Sequence, residues 1–355
     1  MSKILDWEIE KVGTSSKLMS IVVPVVSLVM GLLFAGIFFW ATGKNPLEVY
    51  SEMFLGAFGT AYSLSETVVK AIPLMLAGLA VSVAFRMKLW NIGAEGQIYM
   101  GGFAAAGMFL AFPNLPSYIL LPLMLIAGFV MGGIWGLIPA IPRAYFKVNE
   151  TISTLLLNYI AILWVDYLVY GPWRDPKGYN FPYSIPFTAN AILPSFGRTR
   201  IHWGLFIGLA IAAILFFVIK YTKWGFEIRV CGESPKSAAY AGMNFVRNIL
   251  MVMFISGGIA GIAGMAEVSA ITQRLQQNLS PGYGFTAIIV AWLGRLNPWA
   301  IIVIAFLLGG LLVGGSSIQT SGFPLATVSM LQGAILFFVL GGEILGQYRI
   351  VKRKE

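Results

Sequence analysis

The 355-residue chain has one cysteine, Cys231, and one histidine, His202. A disulfide needs two thiols, and a zinc or haem site needs a set of thiolate and imidazole ligands, so a disulfide framework and resident metal chemistry are disfavoured. Charge is also scarce: 11% of the residues are charged, where soluble domains carry about 25%. With a mean hydropathy of +0.80, a water-soluble globule is excluded. No Gly-x-x-x-x-Gly-Lys-Ser/Thr loop occurs, so the chain lacks the backbone cradle that holds nucleotide phosphates. A Ser/His pair, a His-Glu-x-x-His pattern and paired intramembrane Asp residues are missing too. The chain is expected to be no enzyme, to have no catalytic residue and to bind no cofactor or metal itself.

What the sequence does have is long apolar runs. A helical crossing of the hydrocarbon layer takes roughly 20 apolar residues, and such runs lie near 18–42, 67–86, 92–112, 118–140, 151–170, 203–220, 249–271, 284–294, 299–317 and 323–342. They predict an all-α integral membrane fold of about ten transmembrane segments, a single transmembrane domain over 1–355. The first run follows a polar stretch (1–17) and lacks a small-residue cleavage site, which reads as a retained anchor. The run at 284–294 is short and Gly93 to Gly102 is glycine-rich, so both are candidates for broken or re-entrant helices, whose irregular backbone must face protein or water.

The net charge of +9 comes from short basic runs between apolar segments, without a basic stripe of interleaved aromatics. Membrane lipids with anionic headgroups, not nucleic acid, are the expected partner. Basic residues in short loops mark the cytoplasmic side: Lys3, Lys11 and Lys17; Arg86 and Lys88; Arg143 and Lys147; Lys220 through Arg247; and Lys352, Arg353 and Lys354. Both termini and the 221–248 loop are then cytoplasmic, in a multi-pass protein of the cytoplasmic membrane. The 171–202 loop lies outside.

An internal echo accompanies this layout. Ala77-Gly78-Leu79-Ala80 precedes a Gly-rich break at Asn91 to Gly96, and Ala260-Gly261-Ile262-Ala263 precedes another at Ser280 to Gly284. The breaks fall at opposite ends of their spans, as inverted repeats require. Gly and Ala also simply allow close helix packing, and the sequence leaves both readings open.

The most informative polar stretch is Gly232-Glu233-Ser234-Pro235-Lys236-Ser237-Ala238-Ala239-Tyr240-Ala241-Gly242-Met243. Ser234 is an N-cap residue, Pro235 suits the first helical position and Gly242 is placed to stop the helix. The result is a short, narrow, alanine-rich rod at the membrane face, around which another protein's groove can close. This stretch resembles the coupling-helix loop of ABC-transporter permeases of the branched-chain amino acid and simple-sugar importer superfamily. Met87 to Gly102 resembles the same superfamily, and together with Asn149 to Ala161 it looks most like the nucleoside-permease branch. The resemblance implies a permease of an ATP-driven importer, most like one for nucleosides. It also implies coupling to an ATPase through Gly232, Ser234, Pro235, Lys236, Ala238, Ala239, Gly242 and Met243. The partners it implies are a cytoplasmic ABC ATPase that holds ATP and Mg, a second permease subunit and an extracytoplasmic substrate-binding lipoprotein.

Polar residues inside apolar spans are costly, at about 2.5–3.5 kcal/mol for a central charge, and mark a pathway or a pair. Asn91, Glu95 and Gln97 sit at the start of the third span. Thr154 and Asn158 are one turn apart on the fifth and face the same way, with Tyr159 beside them. Amide and hydroxyl groups there suit a nucleoside's hydroxyls, and the rings of Tyr159 or Trp164 suit its base. The competing reading is structural: Glu95 pairs with Lys88 or Arg86, and Asn158 and Thr154 tie helices together. The proline-rich loop from Gly171 to Arg200 reads either as a dock for the binding protein or as a plain lid. The substrate alternatives are a simple sugar such as ribose or a branched-chain amino acid. An ion-coupled secondary carrier is the alternative of another class, and the scarcity of mid-span ionisable relays disfavours it.

Overall fold

A computed structural model describes residues 7–11, 19–319, 321–324 and 326–352. In chain order the elements are β1 (Trp7–Lys11), α1 (Met19–Ala41), α2 (Pro46–Phe58), α3 (Ala61–Arg86), α4 (Ala94–Ala111), α5 (Ser117–Phe146) and α6 (Glu150–Tyr170). There follow α7 (Gly204–Tyr221), α8 (Lys223–Glu233), α9 (Pro235–Tyr240), α10 (Phe245–Ala266) with a π-turn at Glu267–Thr272, α11 (Tyr283–Leu293), α12 (Pro298–Ser317), α13 (Ala326–Gln347) and β2 (Tyr348–Lys352).

Every apolar run coincides with a helix, so the all-α membrane class holds. Among the described residues six helices are long and apolar enough to cross alone: α3, α5, α6, α7, α10 with its π-turn, and α12. α1 and α2, bent 117° at their junction, pass the same criterion together as one broken span. Two of the remaining runs fall short of a full crossing for a structural reason, because α4 and α11 start inside the bundle rather than at its surface. A small antiparallel ribbon is the departure from the helical pattern: β1 pairs with β2, Ile9 opposite Ile350. It brings Trp7–Lys11 and Tyr348–Lys352 side by side. Lys3, Lys17, Arg353 and Lys354, used above for topology, lie outside the described residues.

The chain forms two compact units, Met1–Gly56 with Gly314–Glu355, and Ala57–Val313. In the first, α1 and α13 run against each other, and a methyl at Gly31 would lie 3.0 Å from the Ile335 backbone. The ring of Phe39 holds the bend, edge-on to Tyr50 at 5.6 Å and to Phe323 at 5.3 Å.

In the second unit α3 and α10 are central, with 89% and 78% of their apolar windows buried, against 28% for peripheral α7. Close approach depends on glycine. On α5, Gly132 lies where a Cβ would meet the Gly261 Cα of α10 at 2.8 Å, and at Gly264 a Cβ would meet the Gly102 nitrogen of α4 at 2.8 Å. Without a hydrophobic drive between helices in lipid, this backbone-to-backbone packing is a main source of association. The C-terminal end of α3 meets α8 where Gly232 abuts Met87. The N-terminal part of α10 meets α8 too, through Trp224 Nε1 donating to Asn248 Oδ1 at 3.1 Å. The two central helices are therefore antiparallel.

Candidate functional site

After α3 the chain does not leave the bundle; it turns back inward. Asn91 Nδ2 donates to Ser256 Oγ (2.9 Å), and Ser256 Oγ donates to the Ala80 carbonyl (2.7 Å). Ser256 is eleven residues into α10, a depth of about 16 Å at about 1.5 Å per residue. The loop 87–93 thus re-enters deeply, and α4 begins there. The loop 273–282 does the same after α10, so that α11, eleven residues long, is a half-crossing. The N-termini of α4 and α11 meet, because the Gly284 N–H donates to Glu95 Oε2 at 2.6 Å. The same order, a long helix, a re-entrant break and a new helix, is thus run in opposite directions about one junction. This is the inverted-repeat arrangement of many transporters.

Gly93 precedes α4 and has no side chain to cap it, so the cap comes from another helix. Asn158 of α6 accepts from the Gly96 N–H (2.8 Å) and donates to the Ile92 carbonyl (2.8 Å). Thr154 Oγ1 contacts the Trp90 carbonyl at 3.4 Å. Asn91 Oδ1 accepts from the Gly93 N–H and from Gln97 Nε2, both at 3.1 Å. On the far side Ser280 Oγ accepts from the Gly282 and Tyr283 N–H groups. Asn91, Glu95, Gln97, Thr154 and Asn158 are all buried and converge here. Tyr159 does not: it is 58% exposed on another face of α6. Glu95 does not pair with Lys88 or Arg86. Glu150 is the acid that holds the first break, accepting from the Trp90 N–H (3.2 Å) while it pairs with Arg143 (3.1 Å). Ser256, Ser280 and Glu150 complete the junction, and nothing in the sequence singles them out as site residues. A Ser or Glu in or beside an apolar run announces that it needs a partner, not which one.

The second feature is the platform α8–α9. Ser234 Oγ accepts from the Ser237 N–H at 3.3 Å, and Pro235 opens α9. At the other end Met243 N–H donates to the Ala238 carbonyl and Gly242 N–H to the Ala239 carbonyl, with Gly242 at φ 72°. This is the paired closure that a left-handed glycine makes available. The eight residues divide by environment. Gly232 and Ala238 are buried, Gly232 against the end of α3, so neither presents a surface to a partner. Pro235, Lys236 and Ala239 are exposed. Tyr240, absent from the sequence-based set, is 99% exposed.

The loop 171–203 is a clamp over the second break. Ser184 N–H donates to the Leu275 carbonyl (2.8 Å), Phe187 N–H to the Gln273 carbonyl (2.8 Å) and Leu193 N–H to Ser269 Oγ (3.1 Å). Arg200 pairs with Glu66 at 3.0 Å. His202 is buried, and its Nδ1 accepts from the Gly204 N–H. Burial, with Arg200 nearby, lowers its pKa to about 4. Cys231 is buried, and burial raises its pKa against an opposing hydrogen bond from Asn248. Among the described residues no group of His, Cys, Asp and Glu could hold a metal ion.

A helical membrane bundle whose two interrupted helices meet at their N-termini deep inside it, with a capped rod standing on one face, has the build of a transport permease. Its family is shown by comparison: residues 63–340 match the model of the branched-chain amino acid transport system permease component, and the chain belongs to that family. It is 35% identical over 327 residues to the guanosine ABC transporter permease protein NupP of Bacillus subtilis, covering 91% of this chain and 94% of that one. It is 30% identical over 334 residues to the nucleoside ABC transporter permease protein NupB of Lactococcus lactis, covering 92% of each. It is also 35% identical over 340 residues to the glucose ABC transporter permease protein TsgB13 of Haloferax volcanii, covering 92% of this chain and 89% of that one. The chain is a multi-span membrane permease subunit of an ABC transporter.

Proposed function

We propose that this permease carries nucleosides into the cell, moved by a separate ABC ATPase that grips α9 and supplied by an extracytoplasmic binding protein. A second permease subunit completes the pathway, both chain ends face the cytoplasm, and ATP and Mg bind only to the ATPase. Two relatives named for guanosine and nucleosides support the substrate, and the observation that carries it is an aromatic strip on α4 and α6. Phe103 stacks on Trp173 at 5.2 Å and meets Trp164 edge-on at 6.0 Å, and Trp164 lies 5.9 Å from Tyr167. Trp164 and Tyr167 are exposed. Beside them the Oδ1 of Asp166 is buried without a partner. Flat rings take a base by stacking, worth about 1–3 kcal/mol, and a carboxylate accepts from a ribose diol. The buried junction residues Asn91, Glu95, Gln97, Thr154 and Asn158 act on transport by holding the breaks together rather than by touching substrate.

A glucose reading is the second, favoured by the 35% identity to the haloarchaeal glucose permease. The test is uptake of labelled guanosine and glucose into proteoliposomes that hold the full complex, with Trp164→Ala and Asp166→Asn variants. Guanosine uptake, reduced about tenfold or more by Asp166→Asn, supports nucleosides. Uptake of glucose alone refutes them.

A further inference from the structure

A cavity of about 180 Å3 opens where the end of α3, the end of α7, α8 and the start of α12 come together. Three cations face it, Arg86, Lys220 and Arg229, together with Asn297, and no carboxylate does. Among the described residues the ion pairs are Arg143–Glu150 and Arg200–Glu66, so none of the three is neutralised. Arg229 is near enough to Arg86 for their like charges to repel. Arg86 donates through Nη2 to the Leu296 carbonyl, yet its Nε is buried with no hydrogen-bond partner. Helix C-termini favour cations and account for part of this clustering, but they do not supply an acceptor for that Nε. A buried, unpaired guanidinium N–H costs free energy unless an anion fills the space.

The depth of the cavity points to the source of the anion. Lys220 Nζ is held over the rings of Phe216 and Tyr221, each centroid at 5.2 Å, and Phe216 packs on Trp299 at 6.0 Å. Tyr221 and Trp299 are exposed, as aromatics are at the headgroup level of a bilayer. Directly along α7 from the cavity, Phe217 and Ile214 are 60% and 59% exposed, an apolar track suited to acyl chains.

We propose that this cavity is a binding site for the phosphate of an anionic phospholipid, such as phosphatidylglycerol, with the acyl chains lying along α7. The site shares its face of the protein with α8 and α9, so the leaflet is the cytoplasmic one on the functional reading above; binding itself depends on no substrate assignment. Bound lipid would tie α8, which carries α9, to the central helix α3.

The experiment is native mass spectrometry and thermal unfolding of the full complex, stripped of lipid and titrated with phosphatidylglycerol, phosphatidylcholine or inorganic phosphate. Wild type retains phosphatidylglycerol selectively. The Lys220→Gln/Arg229→Gln variant, which spares the Arg86–Leu296 bond, binds it about 30-fold more weakly, and Lys220→Arg/Arg229→Lys restores it. Four outcomes overturn the proposal: equal retention of the two lipids, unchanged binding by the Gln variant, saturation by inorganic phosphate with no gain from lipid, or protection of Lys220 from acylation only when the ATPase is present. The last reassigns the cations to a partner carboxylate. Loss of transport with lipid selectivity intact leaves the site standing and counts against the functional reading alone.

Discussion

Replacing Asn158 with Leu keeps most of the side-chain volume and removes two hydrogen bonds, to the Gly96 N–H and the Ile92 carbonyl, both at 2.8 Å. Asn158 is 1% exposed, so no water can replace it. Each backbone group left unsatisfied in a buried site costs about 1–3 kcal/mol, which gives about 2–6 kcal/mol for the pair. Even at the about 0.6 kcal/mol average of side-chain hydrogen bonds between membrane helices, the floor is about 1.2 kcal/mol. Equilibrium unfolding of the purified protein in mixed micelles reads this directly. The neighbouring Tyr159→Leu change, at an exposed position, stays within about 0.5 kcal/mol and controls for disturbance of α6. A loss under about 1 kcal/mol for Asn158→Leu, or equal losses for the two variants, refutes the assignment of Asn158 as the cap of α4.

Two further outcomes follow from burial. Ala239→Glu, at an exposed position of α9, abolishes uptake and stimulated ATP hydrolysis while expression and unfolding stay unchanged; Ala238→Glu, at a fully buried one, lowers stability by about 3 kcal/mol or more. Equal behaviour of the two variants in unfolding assays counts against this packing of α9. His202 has its pKa lowered to about 4 by burial and by Arg200, from about 6.5 in the unfolded chain. The unfolded state therefore binds the extra proton first, so stability falls as pH drops from about 6.5 to about 4, by up to about 3 kcal/mol. His202→Gln flattens that part of the stability profile, and an unaltered slope shows that other groups carry it.

Much of the architecture is legible because it is local. Apolar run length fixes which segments enter the membrane, and each run did become a helix. The cap, first-turn proline and stop glycine of α9 are short-range features, so Ser234, Pro235 and Gly242 read correctly in place. The glycine-rich stretches after α3 and α10 are local as well, and both are breaks. The crossing count was less legible, because hydropathy does not distinguish a helix that starts at the surface from one that starts inside, as α4 and α11 do.

Only tertiary structure decided who meets whom. Glu95 and Gly284 are 189 residues apart, and Asn91 and Ser256 are 165 apart. A polar side chain in an apolar run must find a partner because water is absent, but any donor or acceptor at the right depth satisfies it, so the sequence states the need and leaves the choice open. The same holds for faces: Asn158 and Tyr159 are adjacent in the chain, as are Ala238 and Ala239, and in each pair packing buries one and exposes the other. Sequence determined that the chain is a membrane bundle with two breaks and a capped rod. The fold determined that the two breaks close on each other and which side of the rod is exposed.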